Sequence, residues 1–494
     1  MRGPGAVFPA WLRAIGAAAL APAVAAALAL LGAPLPCRAL GPHEVALLVN
    51  EAAPGSAELA AAWARLRGVP AANVARVSVP PGTNGAPPVA ITKEDFVSRV
   101  WEPARAQLAA AGVAPHVLAW VYSSGFPARV ADSPATLGRA GTNDLSIAGA
   151  TFLRARWPER PDATVAGVDG SAPLYVSPLF AGPAGAGGAV RPSEALDQSR
   201  NALLDAMPLP AAMLAWTGPR GQTPEEALAA LERAAAADAT LPAGAFFVRL
   251  RPGDPRSDAR EWEFEEAAAA LRSRGAAVEV STNAPAEALG PLAGYLDGAR
   301  AVDPLPALAP GAFADHFTSF AAAFDQPTQM KATAWLGAGA AFTAGTVAEP
   351  YARWEKFPAA AIFARRLDGL CALEALYASV RSPLQLLPLG DPLSAPWAPR
   401  LAPRIDGLPA GGVAAAALVL RAVPPEGAPA TGVRYDWLVD GRPAGRGATF
   451  VWNVASSSPG IHEVRLVARV PQPSGVRLQG FARAEVEVAG DLLP

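Results

Sequence analysis

The chain has 494 residues, too many for a single hydrophobic core, so at least two domains are expected. Hydrophobic residues make up 51% and charged residues 17%, which excludes a disordered chain, while 52 prolines and 46 glycines imply short elements and many turns. A formal net charge of −2 leaves no basic footprint for phosphate, so nucleic acid is excluded as a partner.

Residues 1–39 read as a signal peptide. Arg2 and Arg13 precede the apolar run "AAALAPAVAAALALLGA", and "CRA" is a small-x-small pattern that predicts cleavage after Ala39. The residues before Cys37 are "PLP", which does not suit a lipoprotein box, and an uncleaved anchor is the alternative to cleavage. Cleavage leaves 38 basic against 43 acidic residues and Cys371 as the one cysteine. With no internal disulfide available, the exported protein must rely on its cores, and no stable membrane span is expected after cleavage.

Residues 40–400 predict an α/β domain. "EVALLVN" reads as a buried strand, "GSAELAAAWARLRG" as a helix closed by Gly68, and "VARVSV" as the next strand. A helix opened by Thr92 and Asp95 and kinked at Pro103 leads to the strand "HVLAWVY". Residues 157–200, with "AGPAGAGGAVRPS", have no period and predict an irregular excursion. The rhythm resumes with the strand "AAMLAW" and a helix capped by Thr223, Pro224 and Glu226. Strands "GAFFVRL" and "AAVEVS" flank one helix over 257–274. Then come the helix "TQMKATAWLGAG", the strand "AAFTAGTV", two helical stretches between 357 and 380, and "LQLLPLGDP". The alternation predicts a mainly parallel sheet with helices on both faces. Residues 401–494 carry period-2 runs such as "RYDWLVDG" and "IHEVRLVARV", which predict an all-β immunoglobulin-like sandwich with a turn at Asp440-Gly441.

Ligands of parallel sheets bind at the carboxyl ends of strands, so the polar residues there are the candidates. They are Asn50, Tyr122, Ser123, Ser124, Thr217, the pair Asp315 and His316, Thr346, Glu349 and Asp391. Asp315, His316 and Glu349 are the catalytic candidates, because two carboxylates and a histidine can support general acid–base work. Asn50, Ser123, Ser124 and Asp391 are the ligand-binding candidates. Adjacent residues diverge on any regular element, so Asp315 cannot orient His316 as a triad would, and no GxSxG elbow supplies a nucleophile. The competing reading of His316 is a hydrogen-bonded structural histidine. Glu349, before Pro350, alternatively closes a turn, and the Asp391–Pro392 pair also has turn chemistry. The four histidines stand far apart, so no metal and no cofactor are expected. Cys371 falls at helical spacing among leucines and reads as core, as do Trp120, Trp216, Trp335, Trp437 and Trp452.

The phrases "LLVNEAAPGSAELAAAWARLRGVPAANV", "ADHFTSF", "QMKATAWLGAGAAFTAGTVAEP" and "LPLGDPLSAPW" together resemble an uncharacterised family of exported bacterial proteins from species with exosortase-type sorting systems. The likeness runs in order over most of 44–397 and implies export without implying an activity. The chain departs from the family pattern at "AWTGP" (215–219), where "RLDG" is usual, and at Ala321 and Ala322, where glycines are usual. "EVEVAGDLLP" lacks the sorting signal of an exosortase substrate, so the chain is not expected to be one. A fainter likeness links the "GDP" at 390–392 to the gingipain and caspase group of cysteine peptidases. Their chemistry needs a histidine after one strand and a cysteine after the next, and here "GTVAEP" brings no cysteine. Together these features predict an exported protein, periplasmic, cell-surface or secreted, that works by binding or assembly with an envelope or extracellular polymer or protein. The alternative is an extracellular hydrolase with Asp315, His316 and Glu349 in one cleft.

Overall fold

The computed structural model describes residues 37–38, 40–82, 85–157, 177–182, 208–414, 417–472 and 476–489. The expected signal peptide, apart from 37–38, and most of the excursion expected over 157–200 lie outside the described residues.

The apolar runs become strands of one ten-stranded sheet. In chain order they are β1 (Val45–Asn50), β2 (Val74–Val77), β3 (Ala119–Tyr122), β4 (Ala211–Met213), β5 (Phe246–Arg249), β6 (Val278–Ser281), β7 (Leu292–Asp297), β8 (Leu308–His316), β9 (Phe342–Thr346) and β10 (Leu386–Gly390). The order across the sheet is β6-β5-β7-β8-β9-β10-β4-β3-β1-β2. Neighbours pair in parallel through β6 to β9 and again through β4 to β2, while β10 runs antiparallel to β9.

Both faces are covered, and β1 shows why its sequence is continuously apolar. Val45, Leu47 and Val49 join one core with Leu59 and Trp63 of helix α1 (Ser56–Arg67), while Ala46 and Leu48 join another with Phe96, Val100 and Trp101. Successive side chains leave a strand on opposite sides, so a strand buried twice has no polar position to spare. Helix α1 ends at Gly68, whose φ of 70° suits glycine. The helix expected to kink at Pro103 instead contains a π-helical turn, Phe96–Trp101, before α2 (Glu102–Ala110). There the Glu102 N–H donates to the Val97 carbonyl, five residues back, immediately before Pro103. The helix expected over 257–274 is two helices, α3 (Pro255–Glu261) and α4 (Phe264–Arg272).

From residue 404 onward most of the pairing is antiparallel. β11 (Arg404–Asp406), β12 (Leu418–Val423) and β15 (Thr449–Trp452) form one sheet. β13 (Arg434–Val439), β14 (Arg442–Arg446), β16 (Gly460–Pro471) and β17 (Val476–Val488) form another, with Cys37–Arg38 and Val413–Ala414 pairing in parallel along β17. Trp437, Phe450, Trp452, Leu466 and Val486 from the two sheets share one core. Asp440 and Gly441 both take positive φ (51° and 76°), which a two-residue hairpin turn requires. The long β16–β17 hairpin docks on the α/β part. Leu478 enters its core, Gln479 Nε2 donates to Glu44 Oε2 at 2.8 Å, and Arg442 Nε donates to the Ala111 carbonyl at 2.7 Å.

Candidate functional site at the carboxyl edge of the sheet

β10 touches β4 through one bridge, Leu389 to Met213, of parallel geometry. That contact is too short to orient the two halves of the sheet, and the side chains beyond the strands decide the matter. Trp216, after β4, stacks on Phe324, after β8, with centroids 4.5 Å apart. Arg220 donates to the Phe324 carbonyl at 2.7 Å, and Arg129, after β3, reaches Asp325 at 2.8 Å. The carboxyl ends of β3, β4 and β8 therefore open on one edge. Asp391 belongs to the other: its N–H donates to Ala341, just before β9, at 2.9 Å.

The structure distributes the catalytic candidates among separate partners. Asp315 accepts from Arg260 Nη1 at 2.8 Å, and both side chains are buried. His316 points to the opposite face of β8, where Trp335 Nε1 donates to its Nδ1 at 3.0 Å. The ring proton must then sit on Nε2, which donates to the Met330 carbonyl at 3.2 Å. Burial pushes the ring's pKa down to about 4, so the imidazole is neutral with both nitrogens in use. Glu349 Oε1 accepts from Ser319 Oγ at 3.0 Å and from Tyr351 N at 2.9 Å, a turn-closing arrangement on a half-buried carboxylate.

The ligand-binding candidates are similarly occupied. Asn50 clamps two loops, donating to Val79 and Gly125 carbonyls at 3.0 and 2.7 Å and accepting from Val79 N at 2.9 Å. Ser123 Oγ donates to the Ser56 carbonyl at 2.7 Å beside buried Ser124, and Tyr122 is hydrogen-bonded to Thr151. Asp391 accepts from Arg67 Nε at 2.8 Å, and Asp238 shares the same guanidinium. Thr346 donates to the Thr318 carbonyl at 3.1 Å, while Thr217 is half-buried beyond β4. β9 lies beside β8, which ends at His316, and the residues that follow β9, Val347–Glu349, include no cysteine.

The neighbourhood also holds residues that no local sequence pattern singles out. Arg260 lies in "SDAREWEFEE", which has the charge density of a solvated helix face, yet its guanidinium is buried and also donates to the carbonyls of Asp297 and Pro358 at 2.9 Å. Glu263 Oε1 accepts from Ala360 N at 2.9 Å, and burial pushes its carboxyl up to about 7. Lys356, pushed down to about 7 by burial, donates to Gln385 Oε1 at 2.7 Å. Trp262 is 53% exposed and meets half-buried Trp354 edge to face at 5.2 Å. Phe180 lies 6.1 Å from Trp354, and the Arg381 guanidinium sits 5.7 Å from the Trp354 centroid. Exposure of a tryptophan has no signature in period or composition, so only the fold could single out Trp262.

The His316 environment has a measurable consequence. Between pH 6.5 and 4 the unfolded chain binds a proton that the folded imidazole refuses, so stability must fall as pH drops through that window, by about 2–3 kcal/mol. Glu263 acts with the opposite sign. Its folded carboxyl keeps a proton that the unfolded one releases from about pH 4.5, so its contribution is lost as pH rises toward 7. Urea unfolding of His316→Gln beside the unaltered protein at pH 7 and pH 4.5 separates the two, because only the variant should lack the acid-side loss. Parallel profiles would refute the neutral, buried imidazole.

Among the described residues no group of three or more His, Cys, Asp or Glu is placed to hold a metal, and no described helix is long and apolar enough to cross a membrane. No family model matches the chain, and no curated protein matches it. Among solved structures it is similar to the fibronectin(III)-like modules of Clostridium thermocellum CbhA, at 15% identity and a TM-score of 0.15. That match covers 23% of this chain and 56% of the other, so the chain spans about half the length of that structure.

Proposed function

We propose that this chain is an exported protein that binds an extracellular glycan at the carboxyl edge of its α/β part. In this reading the α/β part descends from a peptidase-like ancestor that has lost its histidine–cysteine pair, and the antiparallel part is an immunoglobulin-like module. The observation that carries the binding reading is the Trp262–Trp354 pair, with Phe180 and Arg381 beside it, facing solvent where parallel sheets take their ligands. Flat aromatic faces stack on sugar rings and tolerate many linkages. The acid–base candidates nearby, by contrast, are engaged with internal partners and with one another only through the backbone. A glycan is preferred to a protein because the surface offers flat aromatic faces with a guanidinium beside them.

The test is calorimetric titration of the exported protein with a panel of soluble polysaccharides. Trp262→Ala is expected to weaken binding about ten-fold, equivalent to 1.4 kcal/mol, at unchanged thermal stability. No binding by the unaltered protein, or binding that Trp262→Ala leaves intact, would refute the reading. Turnover of a fluorogenic peptide, ester or glycoside that Glu349→Gln abolishes would replace it with the hydrolase.

A further inference from the structure

From Gly369 to Ser394 every residue is buried except Arg381. Its backbone is pinned on both sides. The Arg381 carbonyl accepts from Ser177 N at 2.8 Å, and the N–H of the next residue, Ser382, donates to the Glu355 carbonyl at 2.7 Å. From this fixed backbone the side chain reaches the surface and holds its guanidinium 5.7 Å from the centroid of Trp354, the ring that Trp262 meets at 5.2 Å. Among the described residues that guanidinium has no hydrogen bond and no ion pair. The other cations of the patch are engaged: Arg353 pairs with Glu355 at 3.2 Å, and Lys356 Nζ donates to Gln385 Oε1 at 2.7 Å.

A half-buried guanidinium without a carboxylate has lost part of its hydration and gained no partner for its charge. Contact with an indole offsets some of that loss through the ring face, while the five N–H donors lie in the plane of the group and stay open to a bidentate acceptor. A carboxylate matches that fork in shape and in charge. The Trp262 end of the patch has the opposite character. Glu261 adjoins Trp262 in sequence, and Glu265 and Glu266 follow in the first turn of α4. Glu261 accepts from Ser257 Oγ at 2.8 Å and Glu265 lies 4.0 Å from Arg272, while Trp262 Nε1 donates to the Ala259 carbonyl at 3.2 Å. That indole therefore offers a flat face and no donor, next to acids that disfavour an anion.

We propose that the glycan is acidic, with a uronate carboxylate paired to Arg381 and an uncharged sugar ring stacked on Trp262. This rests on the glycan reading above and adds the class of its ligand. Stacking alone accepts many sugars, because every pyranose has an apolar face. The guanidinium at one end and the carboxylates at the other select a chain in which uronate and uncharged sugars are mixed, and they fix the direction in which that chain lies. Arg381 thus supplies the charge recognition that the aromatic rings lack.

The test is calorimetric titration of the exported protein with hyaluronan, glucuronoxylan and xanthan, which mix uronate with uncharged sugars, each beside its methyl ester. At least one is expected to bind about ten-fold tighter as the acid than as the ester. Arg381→Gln should bring the two forms to equal affinity. Arg381→Lys should keep only part of the difference, because an ammonium lacks the planar fork, and Trp262→Ala should weaken both forms alike. In the unaltered protein added salt should narrow the difference, which tests the charge without any variant. Equal affinities for acid and ester, an acid preference that survives Arg381→Gln, or binding confined to neutral polysaccharides overturns this inference and leaves the glycan reading standing. No binding of any polysaccharide, acidic or neutral, overturns both.

Discussion

Replacing Arg260 with methionine is expected to destabilise the protein by about 3–5 kcal/mol, because removing one member of a buried ion pair strands the other. Arg260 and Asp315 have side-chain exposures of 2% and 1%, and the guanidinium further holds the Asp297 and Pro358 carbonyls. One side chain therefore ties the ends of β7 and β8 to the segment that follows β9. Asp315→Asn should cost less, since the amide oxygen can still accept from Arg260. The double variant Arg260→Met, Asp315→Leu should recover much of the loss, because no charge is then buried. Urea unfolding of the three proteins decides it. A single-variant loss below about 1 kcal/mol would mean that solvent reaches the pair.

Arg129 is expected to have an effect of similar size. Its side chain is fully buried, with Nε donating to Asp144 at 3.0 Å, Nη1 to Asp325 at 2.8 Å, and Nη2 to the Thr136 and Leu137 carbonyls at 2.8 and 3.0 Å. Without it two carboxylates face each other with no cation between them. Arg129→Lys should rescue little, because a single ammonium cannot span four acceptors in the plane of a guanidinium. Both Arg129→Ala and Arg129→Lys should lose about 3–5 kcal/mol, and limited proteolysis should cut first between residues 131 and 143. Full rescue by lysine would show that charge alone is needed there.

These two arginines also mark the boundary of what a linear reading can reach. Elements with strong period or capping chemistry are where the sequence puts them. Thr223 and Glu226 form their reciprocal cap, with bonds of 3.2 and 2.9 Å, and Gly68 closes α1. "LAGYLD" is short, with a glycine that lies against Phe363, and carries no strand pattern of its own, yet it forms β7. That strand carries Asp297, a partner of Arg251. Trp262 and Glu263 continue the helical pattern, so the sequence predicts one helix over 257–274, whereas the chain breaks between α3 and α4 and leaves Trp262 exposed.

The candidate residues divide along the same line. Strand ends were legible, since an apolar run followed by Asn50, Ser123 or His316 is a local pattern. Their occupancy was not. Whether His316 meets a substrate or Trp335 and Met330 depends on segments that are distant from it until the chain folds. The same holds for Asp391, which sits at the opposite edge because β10 reverses direction against β9.

The amino-acid sequence by itself determined the parallel α/β character of the first part, the antiparallel character of the second and the position of most elements. Burial periodicity, caps and turn residues act within a few positions of one another. Only the tertiary structure decided which polar groups are already satisfied, which edge each strand end faces, and that Arg381 lies over Trp354. Those outcomes depend on long-range register and desolvation, which no window of neighbouring residues contains.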